Sequence, residues 1–270
     1  MVTVHNFSNG LLNPALAYAV SCLGGFLGLR CVTRARAYGG SARATWLTVA
    51  AVSVGATGIW AMHFIAMLGF SIPGQQILYN VPITVGSMLL SIVVVGIGLF
   101  IVGYGDGGVG RLLLGGTILG LGVNAMHYMG MSGMVMPDAV HYSLPLVAAS
   151  VAIAVVAGTA ALWFGTRVRG IGATIGASLI AGVAVTGMHY TGMAAMRVYP
   201  GPMMAMSGST AFSFVVPVVI ALTVVTFGIA MAVSVARTED EIAEDARLQR
   251  RIDEAMASGG YSQSLRRKMK

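Results

Sequence analysis

Three imidazoles, His63, His127 and His189, recur at spacings of 64 and 62 residues in a chain that has few ionisable groups of any kind. Each stands near the end of an apolar run and is flanked by thioethers. Met62, Met126 and Met188 come immediately before the histidines. Met67, Met131 and Met193 come four residues after them, on the same face of a helix. Met129, Met134, Met136 and Met196 crowd the same level, and the stretch "GPMMAMSG" adds Met203, Met204 and Met206. Imidazole with thioether is a soft ligand set, suited to Cu(I), and to Cu(II) through the imidazoles. Zinc would favour histidine with cysteine or carboxylate, and calcium or magnesium would want oxygen ligands. No acid lies in the three motif runs. The expected metal ligands are therefore His63, His127, His189, Met62, Met67, Met126, Met131, Met188 and Met193, with copper as the ion. His5 and His141, placed ahead of two of the runs, are added as further candidates. A lone membrane histidine is more often a packing or hydrogen-bonding residue, and methionine a common filler. Three copies at matched depth shift the balance toward a site, because intramembrane ionisable groups are functional candidates by default.

The elements that must position these residues are membrane helices. Of 270 residues, 56% are hydrophobic and 9% charged, with a mean hydropathy of +0.81; soluble domains carry roughly 25% charged residues. Seven apolar runs reach the ~20 residues that a helix needs to span a bilayer. They cover about 14–31, 44–68, 81–103, 111–132, 144–165, 171–195 and 212–236. The runs are continuous rather than alternating, which favours helices over a barrel. The first lacks a basic stretch before it and reads as a span, not a cleavable signal.

The net charge of +7 does not point to nucleic acid. Residues 1–236 hold eight arginines and two acids, while residues 237–270 hold eight bases against seven acids. Arg30, Arg34, Arg36, Arg43, Arg111, Arg167 and Arg169 all fall on one side of a seven-span chain, in short connections between runs. That bias predicts an outside N-terminus and a cytoplasmic C-terminus. Cys22 and Cys31 form no C-x-x-C pair and read as buried or interfacial thiols.

Self-comparison shows how the chain is built. "GIWAMHFIAM" (58–67), "GVNAMHYMGM" (122–131) and "AVTGMHYTGM" (184–193) align without gaps. The period equals two spans and two loops, so each copy is a helix pair with the motif ending its second helix. The first helices rhyme as well: "NPALAYAV", "NVPITVGS" and "SLPLVAAS" each place a proline near a span start, where a missing N–H costs least. Counting from Arg43, Arg111 and Arg169 puts the histidines 20, 16 and 20 residues up their helices. At 1.5 Å per residue that is roughly 24–30 Å, nearly the whole ~30 Å core. The expected fold is all-α and integral to the membrane: three two-helix repeats (about 10–75, 76–138 and 139–200), a seventh helix with its outer loop (201–236), and a charged tail (237–270). Glycine pairs at small-xxx-small spacing, Gly24/Gly28, Gly116/Gly120 and Gly172/Gly176, are expected at helix contacts. Asn124 is placed either to orient His127 or to bond a neighbouring helix, and Tyr128 and Tyr190 to join an interfacial aromatic belt.

At Met126-His127-Tyr128 and Met188-His189-Tyr190, each completed by a downstream methionine, the chain resembles the MHYT-domain family of bacterial integral-membrane sensors. Met62-His63-Phe64 is a variant copy. The resemblance covers about residues 10–200. It implies a six-helix sensor in the bacterial cytoplasmic membrane with its motifs near the outer face. It also implies copper bound through these histidines and methionines, and sensing of oxygen, carbon monoxide, nitric oxide or redox state. Relatives of this kind often carry a cyclic-di-GMP or kinase domain, whereas here a seventh span and a helix-prone tail follow. In the tail Ile242, Leu248, Ile252 and Met256 share one side. The expectation is signalling without catalysis, through a cytoplasmic partner at the tail. Three other chemistries stay open: a zinc hydrolase using Asp138 as its acid or base, histidine-ligated haem for electron transfer, and copper transport or delivery from the methionine-rich outer segment.

Overall fold

The computed structural model describes residues 2–105, 108–201, 207–236 and 239–257. It contains seven helices long and apolar enough to cross a membrane: α1 (Leu12–Ala37), α2 (Gly40–Met67), α3 (Val81–Gly103), α4 (Val109–Ser132), α5 (Leu144–Arg167), α6 (Ile171–Ala195) and α7 (Ala211–Val235). An eighth helix, α8 (Glu239–Ala257), is highly charged and belongs to a separate unit, Val235–Lys270. Within α8, Leu248, Ile252 and Met256 are exposed. The membrane unit is Met1–Ser234. Met203, Met204 and Met206 lie outside the described residues.

The helices begin where proline and an N-cap allow. Asn80 accepts a hydrogen bond from the Ile83 amide at 3.1 Å to start α3, with Pro82 in the first turn. Pro145 takes the same place in α5. The helical pairs are closed at their histidine ends by short antiparallel pairings that repeat three times. His5 bridges Ser71, Tyr79 in β1 (Leu78–Tyr79) pairs with Met134 in β2 (Met134–Val135), and His141 in β3 (Ala139–Tyr142) pairs with Arg197 in β4 (Met196–Tyr199). Each pairing joins the lead-in of a repeat to the exit from its own motif helix. A further strand, β5 (Ser209–Thr210), adds to the other edge of β1.

Two expectations are corrected at the other end. The first run does not stop at "RCVTRAR": α1 continues to Ala37 and carries Arg30, Arg34 and Arg36 itself, while Arg43 and Arg111 lie inside α2 and α4. Three of them, Arg34, Arg36 and Arg43, bond carbonyls near helix ends. Arg34 Nη2 donates to Val233 O at 2.9 Å, Arg36 to Gly165 O and Val168 O, and Arg43 Nε to Ala35 O and Tyr38 O. A helix C-terminus has unpaired carbonyls and a partial negative charge, so a cation there is doubly favoured. The second correction concerns glycine. Gly24 and Gly28 press on Gly58 and Val54 of α2, and Gly116 and Gly120 press on Thr159 and Val155 of α5, but a Cβ on Gly172 or Gly176 would meet open space.

Helix α2 is the most enclosed span: 78% of its apolar window is buried, against 17–44% for the other six. Its middle, Ser53–Ala61, is a π-helix rather than the regular helix the sequence suggests. Such i→i+5 winding is rare and usually limited to single turns. Side-chain hydrogen bonds tie it to α1, α3 and α7. Ser53 Oγ donates to Gly24 O of α1 at 3.0 Å, and Ser91 Oγ of α3 donates to Gly55 O at 2.8 Å. Thr57 shares a 2.7 Å hydroxyl bond with Thr226 of α7.

Candidate metal centre

The three motif helices bring their histidines together. His63, His127 and His189 are at most 1% exposed. Nδ1 of His63 lies 3.0 Å from Nδ1 of His189 and 3.1 Å from Nδ1 of His127. The ring centroids are 4.9–5.1 Å apart and the planes cross at 80–88°. The three rings thus meet like faces at a corner, each turning Nδ1 toward the common point. The three histidines share one level for a reason different from the arginine count. His127 and His189 each lie 18 residues past the first residue of their helices, Val109 and Ile171, whereas His63 lies 23 past Gly40. The π segment falls within this longer arm, and its wider winding uses more residues for each turn.

The rings are seated on glycine. A Cβ on Gly130 would come 2.6 Å from Nε2 of His63, and one on Gly192 would overlap Nε2 of His127. Gly130 is three residues past His127, and Gly192 three past His189. Each of these motif helices therefore offers a bare backbone to the ring of the preceding copy. The aligned repeats already contain this His-x-x-Gly signal; its meaning depends on which helix faces which. Trp60, fully buried, was also not singled out; its Nε1 donates to Ser87 Oγ at 3.0 Å.

This donor set fits a cation. An uncharged imidazole has one N–H and one lone pair. Each of the two close Nδ1 contacts has room for at most one hydrogen and both share His63, so at least one bare lone pair faces the common point. No hydrogen-bond partner reaches Nε2 of any of the three rings. Buried polar atoms without partners are costly. An ion held by the three Nδ1 atoms would take up such a lone pair. Among the described residues this is the one cluster of histidine, cysteine and carboxylate side chains with metal-binding spacing, and it contains no acid.

The remaining candidates fall in two groups. Met62, Met67, Met126, Met131, Met188 and Met193 are all buried, at 0–3% exposure, on the same helices as the histidines. His5 and His141 are exposed and the structure does not bring them to the trio: His5 sits in its bridge to Ser71, and His141 stacks edge-on against Tyr199 at 5.5 Å. Asn124 donates to Ser150 Oγ of α5 at 3.1 Å, so it ties two helices rather than orienting His127. The Tyr128 hydroxyl turns inward to the same Ser150 at 3.0 Å instead of joining an aromatic belt. Asp138 accepts from Gln75 Nε2 at 2.9 Å and is not part of the cluster. The three rings, with centroids 4.9–5.1 Å apart, do not present the opposed axial pair that a bis-histidine haem needs. Cys22 and Cys31 are free thiols.

The MHYT family model, described as "Bacterial signalling protein N terminal repeat", matches residues 57–115, 120–177 and 182–243, together more than half of the chain. The chain belongs to the MHYT family. The family's repeats are cut so that the motif opens each unit, and the third takes in α7. A relative from Pseudomonas aeruginosa, the bifunctional diguanylate cyclase/cyclic di-GMP phosphodiesterase MucR, is 34% identical over 227 residues. That match covers 82% of this chain and 33% of MucR. The cyclic di-GMP phosphodiesterase NbdA of the same organism is 36% identical over 188 residues, covering 67% of this chain and 24% of NbdA. The signalling protein YkoW of Bacillus subtilis is 26% identical over 194 residues, covering 67% of this chain and 23% of YkoW. The chain thus spans a third or less of the length of these relatives. No solved structure matches it. Family membership and the seven apolar spans make this a multi-pass membrane protein of the sensor and signalling class.

Proposed function

We propose that the histidine trio is a copper centre and that this MHYT unit reports its ligand or redox state across the membrane. One observation carries the reading: three buried imidazoles aim the same nitrogen at one point, with no carboxylate among them. His63, His127 and His189 would hold the ion, and the buried methionines on the same helices supply soft donors in reserve. Copper would contribute one-electron redox chemistry and affinity for oxygen, carbon monoxide or nitric oxide. The chain's own part is positioning: the glycine seats fix the rings, and buried residues of the closing strands, among them Tyr79, Met134 and Val198, separate the trio from water.

A change at the trio would move its three helices relative to one another. The π segment of α2 meets α7 at the Thr57–Thr226 bond, which gives that movement a route to α7 and the tail. The arginine end would face the cytoplasm by the positive-inside bias, and the histidine end the outer face of a bacterial cytoplasmic membrane. A cytoplasmic partner at the tail would receive the signal; the cyclic di-GMP enzymes MucR and NbdA suggest the class of output.

The test is metal analysis of protein purified from copper-supplied membranes. Stoichiometric copper is expected, with loss in His63→Ala, His127→Ala and His189→Ala. Unchanged metal content in all three variants sinks the reading.

A further inference from the structure

Directly inward of the histidine trio lies a cavity of about 60 Å³. Its lining repeats the symmetry of the trio. Ile59, Val123 and Val185 all border it, and each stands four residues before its histidine. Met188, adjacent to His189, completes that rim. The rest of the wall is mainly glycine and alanine, including Ala157 and Gly158 of α5 and Ala181 of α6. Ser21 brings the one side-chain hydroxyl.

The volume exceeds the ~10–15 Å³ that a single water needs, but a buried water also requires two to four polar partners. One hydroxyl does not supply them, so the space is dry. Approach from the histidine end is closed, because Tyr79, Met134, Met196 and Val198 of the closing strands, with Phe70 and Ile72 beside them, are all buried. Ala157, Ala161 and Ala181, in contrast, are partly exposed and lie near the middle of their spans. At that height the surroundings are hydrocarbon, where a charged or hydrogen-bonding ligand is disfavoured.

We propose that this cavity is a binding site for a neutral, apolar molecule of about two heavy atoms, of the dioxygen class, which enters sideways from the bilayer. Bound there, it lies one helical turn from each histidine. Its relevance to sensing rests on the reading of the trio as a copper centre; its existence does not.

Xenon tests the site without any metal. Wild-type protein in lipid nanodiscs should take up xenon saturably, read as an exchange-broadened 129Xe resonance that empty nanodiscs lack. Ala157→Leu, which fills the wall, should weaken binding at least tenfold. Val185→Ala, which widens it, should strengthen binding. Thermal unfolding of each variant verifies that it is folded. Uptake by wild type no different from empty nanodiscs overturns the proposal, and so does equal binding by wild type, Ala157→Leu and Val185→Ala. Copper content measured on the same samples separates the two ideas. Saturable xenon with no copper sinks the metal reading alone, and copper without saturable xenon sinks the cavity alone.

Discussion

The two ends of the helix bundle both bury nitrogen-rich side chains, and they treat them in opposite ways. At the arginine end, guanidiniums are matched to carbonyls the chain itself supplies: Arg34 to Val233, Arg36 to Gly165 and Val168, Arg43 to Ala35 and Tyr38. At the histidine end, three rings crowd together with converging Nδ1 atoms and no partner for any Nε2. The first arrangement ties helix ends to one another and stabilises the fold. The second is left unfinished by the chain and asks for something from outside. Under the proposed copper reading, stability and function lie at opposite ends of the bundle, and a site kept at some cost to stability is a common mark of function.

That contrast makes cross-predictions, the largest concerning the trio. His127→Leu should abolish copper retention, a loss of more than 100-fold in affinity, yet metal-free His127→Leu should unfold no more easily than the metal-free wild type, because it removes a polar ring whose Nε2 has no partner. Calorimetry with metal analysis checks both halves; a marked drop in stability would erase the distinction between the ends. Arg34→Met should do the reverse. The charged hydrogen bond to Val233 O is worth roughly 1.5–3 kcal/mol, so thermal stability should fall while copper stays stoichiometric. Gly130→Ala probes the boundary between the two roles. The added methyl would press on the His63 ring, costing about 1–3 kcal/mol by overpacking and lowering copper affinity about tenfold, measured by competition with a chelator of known affinity. The smallest effect is at Thr57→Val, which removes a neutral bond worth ~1 kcal/mol. Copper content should not change. The metal-dependent change in the distance between spin labels on α2 and α7 should shrink, and Thr226→Val should add nothing further to it.

Much of this was readable from residue order. Seven spans follow from continuous apolar runs, and the gapless repeat of Met-His predicts that the three histidines share a level and a neighbourhood. The inner contacts were harder to read. Gly172 and Gly176 have the same spacing as Gly24 and Gly28, but which face of a helix meets a neighbour depends on the turn of the whole helix, not on spacing. The arginines looked like loop residues because charge normally ends a span; here neighbouring helix ends accept them. His5 and His141 stood at matching places in two repeats, but the strands that carry them close the end of the bundle and leave the side chains outside. The π segment of α2 had no signature in hydropathy, since it depends on Gly55 and Gly58 lying against α3 and α1.

Three identical arms around one ion would respond to it equally, and an equal response has no direction. The first repeat breaks that balance: its arm reaches the trio through five additional residues and the broad coil of Ser53–Ala61, and it has Phe64 and Ala66 where the others have tyrosine and glycine. It is also the arm tied to α7. Under the copper reading, the two conforming copies would serve as the fulcrum, and the deviant one as the part that swings.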